Sequence, residues 1–579
     1  MWKVLQKCFR EIGGAVFLVV VLAIGEVAWQ IAIPWYMTNL IDLGLSAQNL
    51  SVVYHQAGIL IFLVFLELSC GIGVAWLNAY VTSRFAFLLR EQLYWQVTQF
   101  SFANLHKFST ASLINRLTGD VTNLANALQA LIRLGVQGPA LLLLAMIASF
   151  NLSREISLMF LAIIPIIALF SGLIIKTVLP LFKKVFVKYD ELDAKVQENI
   201  KGIRVVKSFN QQQQEIGNFK KISHEIYRYY AQGERVLALN TPLMQLCIYA
   251  CMLLISFFGA KAIVASGNQA AVGMSTGALS AMITYAMQIL QSLMLLSMVF
   301  VVITISRAAF KRVSEVLLTQ PSLISPENGL TCLPHNGIEF SQVDFYYQHQ
   351  TGKKVLSQIS FCLNPGQTVG IVGATGSGKT SLVQLIARLY DPSSGEILLG
   401  GQKINTYKLP ALRSQIAMVL QKDQLFSGSV LDNLRWGNPQ ASESEIKRLC
   451  RLLAADEFIS KMPAGYQSKI EQAGANLSGG QKQRLYLVRA LLKKPAILIL
   501  DDAMSALDNK TLSLVQKGLV QCLPKATKII ITQRPSCLRQ ADVILVLENG
   551  ELVAVGTHQH LLKESKIYRD MEKSEHANA

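Results

Sequence analysis

The feature that most constrains this chain is a glycine-rich stretch that reads Gly373-Ala374-Thr375-Gly376-Ser377-Gly378-Lys379-Thr380. An apolar, strand-like run over 368–372 precedes it, and a helical pattern through Leu389 follows it. Such glycines let backbone N–H groups curl around phosphates at a helix N-terminus, while a lysine reaches the β- and γ-phosphates and a hydroxyl reaches Mg²⁺. The pattern predicts a phosphate-binding loop. The expected nucleotide contacts are Gly373, Thr375, Gly376, Ser377, Gly378, Lys379, Thr380 and Ser381.

Two further motifs lie downstream of this loop. One is the signature Leu477-Ser478-Gly479-Gly480-Gln481, followed by Lys482-Gln483-Arg484, and the other is an apolar run over 497–500 that ends in Asp501-Asp502. With the phosphate loop, they resemble the ATP-binding cassette (ABC) transporters over essentially the whole chain. The resemblance implies ATP-driven transport with Mg²⁺, and by position it assigns Tyr347 to adenine stacking, Gln421 to the Q-loop, and Ser505 and Asp508 to the D-loop.

The first half of the chain has the composition of a membrane domain. Hydrophobic residues make up 51% of the sequence, and the mean hydropathy is +0.36, which is too apolar for an ordinary soluble protein. Long apolar runs predict six membrane-spanning helices. Their approximate ranges are 15–41, 58–81, 131–150, 156–179, 236–264 and 278–305.

The distribution of basic residues predicts the orientation in the membrane. The formal net charge is +17, but Lys and Arg cluster beside the apolar runs, above all over 176–235, whereas 43–55 and 262–275 contain none. Positive charge remains on the cytoplasmic side of a membrane and faces anionic lipid there. We therefore predict a multi-pass protein of the plasma or bacterial inner membrane with both termini and the ATPase domain in the cytoplasm. The charge is ascribed to topology and not to nucleic-acid binding.

The predicted architecture is a polytopic α-helical membrane domain fused to an α/β P-loop ATPase domain. The helical patterns over 84–128 and 181–235 predict long cytoplasmic extensions of the membrane helices. The expected ranges are 1–310 for the membrane domain, 311–336 for a linker, 337–570 for the ATPase and 571–579 for a polar, mobile tail. Asn549-Gly550 predicts a hairpin turn near the end of the ATPase. The stretches 108–121 and 197–207 resemble the family's intracellular loops, which implies coupling segments near Asn115 and Gly202.

The candidate catalytic residues are Asp502, Gln533 and Gln421. Asp501 ends a buried strand, where an unpaired carboxylate is costly, so Mg²⁺ held with Thr380 and Gln421 is expected beside it. The family usually places Glu where Asp502 stands, and the shorter side chain withdraws the general base by roughly 1.5 Å. At Gln533 the family has a histidine, and glutamine cannot gain a proton near neutral pH. Both changes predict a site that binds ATP and hydrolyses it slowly.

The motifs also suggest what the chain assembles with. In this family two ATP molecules are held between paired ATPase domains, each by one chain's phosphate loop and the other chain's signature. The intact signature here would complete a site in a different half-transporter that has a catalytic Glu, a switch His and an altered signature, which resembles the bacterial heterodimeric multidrug exporters. A homodimer with two slow sites and a regulatory nucleotide-gated subunit are the alternatives.

Polar residues within the apolar runs are the candidate substrate contacts. Charges in the bilayer are expensive and usually face a cavity or a partner, and flexible thioethers beside amides suit varied ligands. The candidates are Glu26, Glu67, Gln288, Gln291 and Met287. They favour amphipathic, drug-like small molecules, while a lipid, peptide or thiol exporter of the same architecture remains open.

Overall fold

The chain folds into two compact units, each with its own core. The computed structural model describes residues 2–266, 274–347, 354–421 and 423–577. The first unit comprises Met1–Thr98 with Ala111–Thr319, and the second comprises Gln99–Thr110 with Gln320–Ala579. The predicted linker at 311–336 is therefore divided between the two units. Residues 311–318 belong to the last helix of the first unit, which continues to Leu318, and residues 320–336 belong to the second unit.

The first unit is helical because its long apolar runs cannot leave backbone polar groups unpaired in hydrocarbon. Its α-helices, with the short helix α3 of the second unit included for order, are Trp2–Asn39 (α1), Leu50–Gln99 (α2), Phe102–Lys107 (α3), Thr110–Asn115 (α4), Val121–Leu152 (α5), Arg154–Lys201 (α6), Ile203–Ser208 (α7), Gln212–Ala238 (α8), Asn240–Ser266 (α9) and Thr276–Leu318 (α10). Two π-helical turns, Leu40–Leu45 and Arg116–Asp120, continue α1 and α4. The predicted extensions of the membrane helices are present, since α2 and α6 run well past their apolar parts.

Five helical segments among the described residues are long and apolar enough to cross a membrane. They are Arg10–Leu45, Leu50–Gln99, Thr110–Leu152, Gln212–Ala265 and Thr276–Leu318. Each contains one of the predicted spans. The remaining predicted span, 156–179, lies within α6, where several side chains are outside the described set. The count of six spans stays a prediction.

The predicted first intracellular loop, 108–121, is mostly part of the helical unit. Asp120, 1% exposed, accepts a 2.8 Å hydrogen bond from Arg312 Nε. Arg116 donates to Glu315 and to the carbonyl oxygen of Arg312, each over 3.1 Å. These pairs hold the π-helical turn Arg116–Asp120, which precedes α5, against α10. The segment near Asn115 thus belongs to the first unit, and the short helix that packs with the ATPase is α3, which ends just before the predicted stretch.

The second unit is an α/β fold with two main sheets. Its strands are Ile338–Phe345 (β1), Leu356–Leu363 (β2), Thr368–Gly373 (β3), Ser394–Leu399 (β4), Gln402–Lys403 (β5), Ile416–Val419 (β6), Gly428–Ser429 (β7), Lys469–Ile470 (β8), Ile497–Asp501 (β9), Thr527–Ile531 (β10), Val543–Glu548 (β11) and Glu551–Gly556 (β12). Its other helices are Lys379–Ile386 (α11), Leu409–Gln415 (α12), Val430–Arg435 (α13), Glu443–Leu452 (α14), Asp456–Ser460 (α15), Gly479–Leu492 (α16), Asn509–Cys522 (α17), His558–Glu564 (α18) and Lys566–Ala577 (α19).

The larger sheet determines where the functional motifs meet. Its strand order is β12-β11-β3-β10-β9-β6, and all neighbours pair in parallel except β11 with β12. The strands β3, β9 and β10 are buried and mostly apolar, as expected for a parallel sheet covered on both faces. Because parallel strands end at the same edge, the residues after these three strands come together there. The smaller sheet, β2-β1-β4-β5, is antiparallel.

The C-terminal segment differs from the predicted polar tail. Helix α19 runs from Lys566 to Ala577, so most of the residues from 571 onward are helical. Tyr568 is fully buried and Glu572 is 8% exposed. Arg539 pairs with Glu572 at 3.3 Å, so α19 packs against the segment that follows β10. Tyr568 and Glu572, together with the partly buried Ile567 and Met571, dock an otherwise polar helix.

Candidate nucleotide site and its membrane partner unit

The phosphate loop connects β3 to α11 through two glycines that no other residue could replace without strain. Gly373 has φ +155° and Gly378 has φ +96°, both unfavourable for residues with a Cβ. A Cβ at Gly373 would lie 2.2 Å from the carbonyl oxygen of Leu547, and one at Gly378 would lie 2.7 Å from Leu356 Cδ2. The tight turn brings the loop over the N-terminus of α11, which favours an anion.

Lys379, the first residue of α11, is held inside this loop. Its side chain is buried, and Nζ donates to the carbonyl oxygens of Gly373 at 2.8 Å and Ala374 at 2.7 Å. Burial lowers the pKa of Lys379, and the nearby charges of Asp501 and Asp502 oppose that effect. An ammonium group poised on two carbonyl oxygens can turn toward a phosphate at little cost.

A cavity of about 410 Å³ opens beside the loop. Its lining residues are Tyr347, Lys354, Val355, Gly376, Gly378, Lys379, Thr380, Ser381 and Asn549. The Tyr347 hydroxyl lies 2.9 Å from Ser381 Oγ and donates to Gln384 Oε1 over 3.1 Å, which fixes the ring at one wall. Lys354, Val355 and Asn549 were not predicted; Asn549 reaches the cavity only because the hairpin turn between β11 and β12 lies beside the loop.

A second, smaller cavity of about 130 Å³ contains the candidate catalytic residues. Its lining residues are Thr375, Gly376, Lys379, Thr380, Gln421, Asp501, Asp502, Ile531, Thr532 and Gln533. In the sheet, Asp501 is in register with Ile531, and Ile531 with Ile371. The ends of β3, β6, β9 and β10 therefore bring together every residue that the sequence assigned to catalysis or to Mg²⁺.

Asp501 is a buried carboxylate with one hydroxyl partner in the described residues. It is 3% exposed, and its Oδ2 accepts a 2.8 Å hydrogen bond from Thr380 Oγ1. Burial raises the pKa of Asp501, and the Thr380 hydrogen bond partly offsets that rise. A carboxylate, a hydroxyl and the Gln421 amide oxygen lining one cavity are hard oxygen ligands of the kind that Mg²⁺ prefers. The donor set therefore fits a magnesium ion.

Replacing Thr380 with valine is expected to weaken Mg²⁺-dependent ATP binding and to lower the stability of the ATPase unit. Valine has the same shape but no hydroxyl, so Asp501 loses a hydrogen bond inside the protein, at a cost of about 1–3 kcal/mol. Thermal unfolding without nucleotide and ATP titration with and without Mg²⁺ measure the two effects. Thr380→Ser keeps the hydroxyl and should restore both. Equal behaviour of the valine and serine variants would contradict the assigned role of Thr380.

Asp502, the predicted general base, has an unusual backbone conformation and a carboxyl group with a shifted pKa. Its φ of +52° lies in the left-handed region, which aspartate tolerates better than most residues. Burial raises the pKa of Asp502, while hydrogen bonds from the side chains of Gln421 and Ser505 lower it. The Ser505 hydroxyl also donates to the backbone carbonyl oxygen of Asp502 over 3.0 Å, which joins Asp502 to the D-loop.

The signature motif lies at the exposed N-terminus of α16. Ser478 caps this helix: its Oγ accepts from the backbone N–H of Gln481, and Gln481 Oε1 accepts from the backbone N–H of Ser478. Leu477 is buried and anchors the motif, whereas Ser478 and Gly479 are exposed. Among the described residues, neither cavity includes a signature residue in its lining. The motif therefore presents a free helix N-terminus, suited to an anion.

The D-loop follows Asp502 and is tied to the signature helix by a residue that the sequence did not single out. Gln483 donates from Nε2 to Ser505 Oγ over 3.2 Å, and its Oε1 accepts from the backbone N–H of Ala506 over 3.0 Å. Asp508 caps α17 by accepting from the Thr511 backbone N–H. Gln483 stands next to the signature in sequence, but its partners lie 22 and 23 positions away. This contact between Gln483 and the D-loop is therefore visible only in the folded structure.

In the first unit, the candidate substrate contacts do not all share one surface. Glu26 is half-buried on α1, with Oε1 lying over Gly71 of α2, one turn from the half-buried Glu67. Gln288 is buried, and its Nε2 donates to the carbonyl oxygen of Gln30 over 3.3 Å. Gln291 is exposed and Met287 is 51% exposed. Gln288 therefore packs between α10 and α1, apart from the face that carries Met287 and Gln291.

A helical unit with membrane-crossing segments, joined in one chain to a phosphate-loop ATPase with a signature helix, defines a membrane transporter driven by ATP. Comparison with known proteins agrees. The family model for the ABC transporter transmembrane region matches residues 16–313, and the ABC transporter model matches residues 356–505. This chain belongs to the ABC transporter family.

Relatives and a solved structure resemble the chain over its whole length. An uncharacterized ABC transporter ATP-binding protein, YfiB of Bacillus subtilis, is 33% identical over 561 residues, which is 96% of each chain. The uncharacterized Rv1273c of Mycobacterium tuberculosis is 30% identical over 582 residues, 99% of this chain and 98% of the relative. The fold matches a bacterial Atm1-family ABC exporter with ATP bound, with a TM-score of 0.85 and 23% identity, over 98% of this chain and 99% of the other.

The family membership establishes the activity at a coarse level. The chain is an ATP-hydrolysing half-transporter with an exporter-type fold, one membrane domain and one ATPase domain. It is a multi-pass plasma-membrane protein that moves a small molecule, and its ATPase domain is cytoplasmic.

Proposed function

We propose that this chain is one subunit of a heterodimeric exporter, in which its own ATP site is impaired and its signature completes the hydrolytic site of a different partner. The observation that carries the proposal is the pair Asp502 and Gln533 in one cavity with Gln421. The carboxylate that would activate water is one methylene shorter than that of glutamate and is withdrawn from the attacking water by roughly 1.5 Å. Gln533 offers an amide but no titratable group.

The binding half of this site is intact, which supports ATP retention more than turnover. Lys379 and the loop glycines would hold the phosphates, and Tyr347 would stack on the adenine. Thr380, Asp501 and Gln421 would hold Mg²⁺, which when bound neutralises phosphate charge. A site with these groups and a withdrawn base binds nucleotide tightly and hydrolyses it slowly.

The exposed signature motif supports the second half of the proposal, that this chain completes the hydrolytic site of its partner. Gly479 and Gly480 present backbone N–H groups, and Ser478 an exposed side chain, at the start of a 14-residue helix, with no nucleotide-cavity residue of this chain beside them in the described part. In a paired assembly these donors would face the γ-phosphate bound by the partner. Closure of the two ATPase domains would then favour an outward-facing membrane cavity.

For the substrate, we propose amphipathic, drug-like compounds. Glu26 and Glu67 place carboxyl groups within the apolar parts of α1 and α2, where charge is retained mainly for function. On α10, Met287, Gln291, Met294 and Met298 follow helical spacing and are all exposed. A face of thioethers with one amide adapts to varied apolar ligands.

The partner is the most direct test. The tagged chain is extracted from its native membrane in mild detergent, and the material that copurifies is identified by intact-mass and peptide analysis. We expect a second half-transporter at one-to-one stoichiometry, with Glu after its Walker B aspartate and an altered signature. Recovery of this chain alone as a dimer would favour a homodimer with two slow sites and would end the asymmetric assignment.

Transport into inside-out vesicles tests the substrate class. ATP-dependent accumulation of a cationic dye supports a drug exporter, and it should fall in a Glu26→Gln, Glu67→Gln variant. Stimulation of ATP hydrolysis by lipids, peptides or thiols without dye transport would favour those alternatives. Normal ATP binding with neither transport nor stimulation would favour a regulatory subunit.

A further inference from the structure

In the second unit, a series of aromatic side chains in contact connects Tyr347, the residue expected to stack on adenine, to the short helix α3. The Tyr347 ring meets the Tyr390 ring edge to face, with centroids 5.2 Å apart and an interplanar angle of 83°. Tyr390 in turn contacts Phe102, the first residue of α3, at 6.4 Å and 46°. Phe345 packs on both tyrosines, at 4.8 and 5.5 Å. Aromatic pairs at these separations favour particular tilts.

The backbone around Tyr390 is fixed, so a change in the tilt of Tyr347 is passed on by the Tyr390 ring. Arg388, 3% exposed, donates to Asp391 over 2.9 Å and to the carbonyl oxygens of Tyr407 and Ile324. Tyr390 itself is 8% exposed. Tyr390 belongs to the core on one side and faces the cavity that Phe102 also lines on the other, so a displacement of its ring is directed toward Phe102.

Helix α3 makes one aromatic contact with this series of rings, and hydrogen bonds to residues 320 and 322 hold it as well. Asn104 donates to the carbonyl oxygen of Gln320 over 3.0 Å and accepts from the Ser322 backbone N–H over 2.9 Å. A cavity of about 840 Å³, with Phe102, His106, Tyr347 and Tyr390 in its lining, occupies the space beside the helix. Among the described residues, Phe102 is the part of α3 that makes a ring contact with Tyr390.

We propose that Tyr390 is a positioning residue that reports the presence of the nucleotide base at Tyr347 to helix α3. A base stacked on Tyr347 would fix the tilt of that ring, and Tyr390 would then hold Phe102 in one position. Triphosphate without a base would fill the phosphate loop but add no contact to the ring beyond those of its hydroxyl with Ser381 and Gln384. The inference rests on the proposed stacking role of Tyr347, and it makes the order of α3 depend on the base and not on phosphate alone.

Hydrogen exchange on the full-length transporter in lipid nanodiscs tests this dependence. Amide exchange is followed over 99–110 and over 373–381 with ATP, with inorganic tripolyphosphate and without ligand, each with Mg²⁺. In the wild type, ATP should slow exchange over 99–110 roughly threefold more than tripolyphosphate does, while both ligands protect 373–381.

Three variants separate positioning from structure. Tyr390→Leu keeps apolar bulk but no ring, and it should lose the ATP-specific protection of 99–110 while ATP still protects 373–381. Tyr390→Phe keeps the ring and should restore that protection. Phe361→Leu removes a ring from the same domain, stacked on Phe340 at 4.6 Å and apart from Tyr390, and should behave as wild type. If Tyr390→Leu fails to fold, Phe102→Leu breaks the same contact from the other side.

The outcomes distinguish a failure of this inference from a failure of the proposed stacking role of Tyr347, on which it rests. Undiminished ATP-specific protection over 99–110 in Tyr390→Leu, or in Phe102→Leu, overturns the role of Tyr390 and leaves the nucleotide site intact. Equal protection by ATP and tripolyphosphate in the wild type also overturns it. If Tyr347→Ala binds ATP as tightly as the wild type, the stacking assignment itself is wrong. A fall in transport per ATP in Tyr390→Leu, with the KM for ATP unchanged, agrees with the inference.

Discussion

Replacing Ser478 with arginine is expected to reduce ATP hydrolysis by the assembled transporter by about 100-fold, the scale of losing oriented donors at a developing charge. The exposed N-terminus of α16 would be filled by a long side chain where the partner's γ-phosphate must approach. Steady-state ATP hydrolysis of the copurified complex measures the loss. Ser442→Arg is the matched control, because Ser442 also caps an exposed helix, through the Glu445 backbone N–H, but lies outside the signature.

A substitution in the phosphate loop of the same chain should have a much smaller effect than Ser478→Arg. Lys379→Ala in the same chain removes the buried ammonium from the impaired site, and we expect it to leave a large part of hydrolysis in place because most turnover occurs at the partner's site. In a symmetric homodimer both substitutions would abolish activity. Equal and near-complete loss in Ser478→Arg and Lys379→Ala would therefore contradict the asymmetric assignment.

The parts of the site that the sequence predicted are those determined by neighbouring residues. The phosphate loop follows from glycines at positions where a Cβ has no room, and Asp501 follows from the end of an apolar strand. Asn549-Gly550 predicted the hairpin turn, and the structure confirms it with φ values of +48° and +87° and antiparallel pairing of β11 with β12. In each case the cause lies within a few residues of the effect.

The parts that were missed depend on residues far apart in the chain. Helix α3 is only six residues long, and besides its aromatic contact it docks through Asn104, whose partners Gln320 and Ser322 lie 216 and 218 positions away. The burial of Gln288 depends on its contact with α1, at a separation of 258 positions. Helix α19 is polar except for a few residues, so its packing could not be read from its composition. Such contacts become visible only when the fold brings their members together.

Converting Asp502 to glutamate and Gln533 to histidine is expected to activate the impaired site. A longer carboxylate regains roughly 1.5 Å of reach toward the attacking water, and histidine restores a titratable group beside the γ-phosphate. The effect is clearest when Ser478→Arg has silenced the partner's site, because residual hydrolysis then reports this site alone. There we expect the double variant to hydrolyse ATP roughly 10- to 100-fold faster than the Ser478→Arg single variant.

Two comparisons show whether the gain comes from the proposed chemistry. Asp456→Glu makes the same change at the start of α15, outside the lining of both nucleotide cavities, and should leave the rate unaltered, whereas Asp502→Asn should lower whatever residual rate the site has. The activated site should also acquire an acidic limb in its pH profile near the ordinary histidine pKa of about 6.5, a feature that a glutamine cannot produce. An unchanged rate and an unchanged profile would mean that Asp502 and Gln533 do not limit hydrolysis. The slow step would then lie in the donors that the partner supplies.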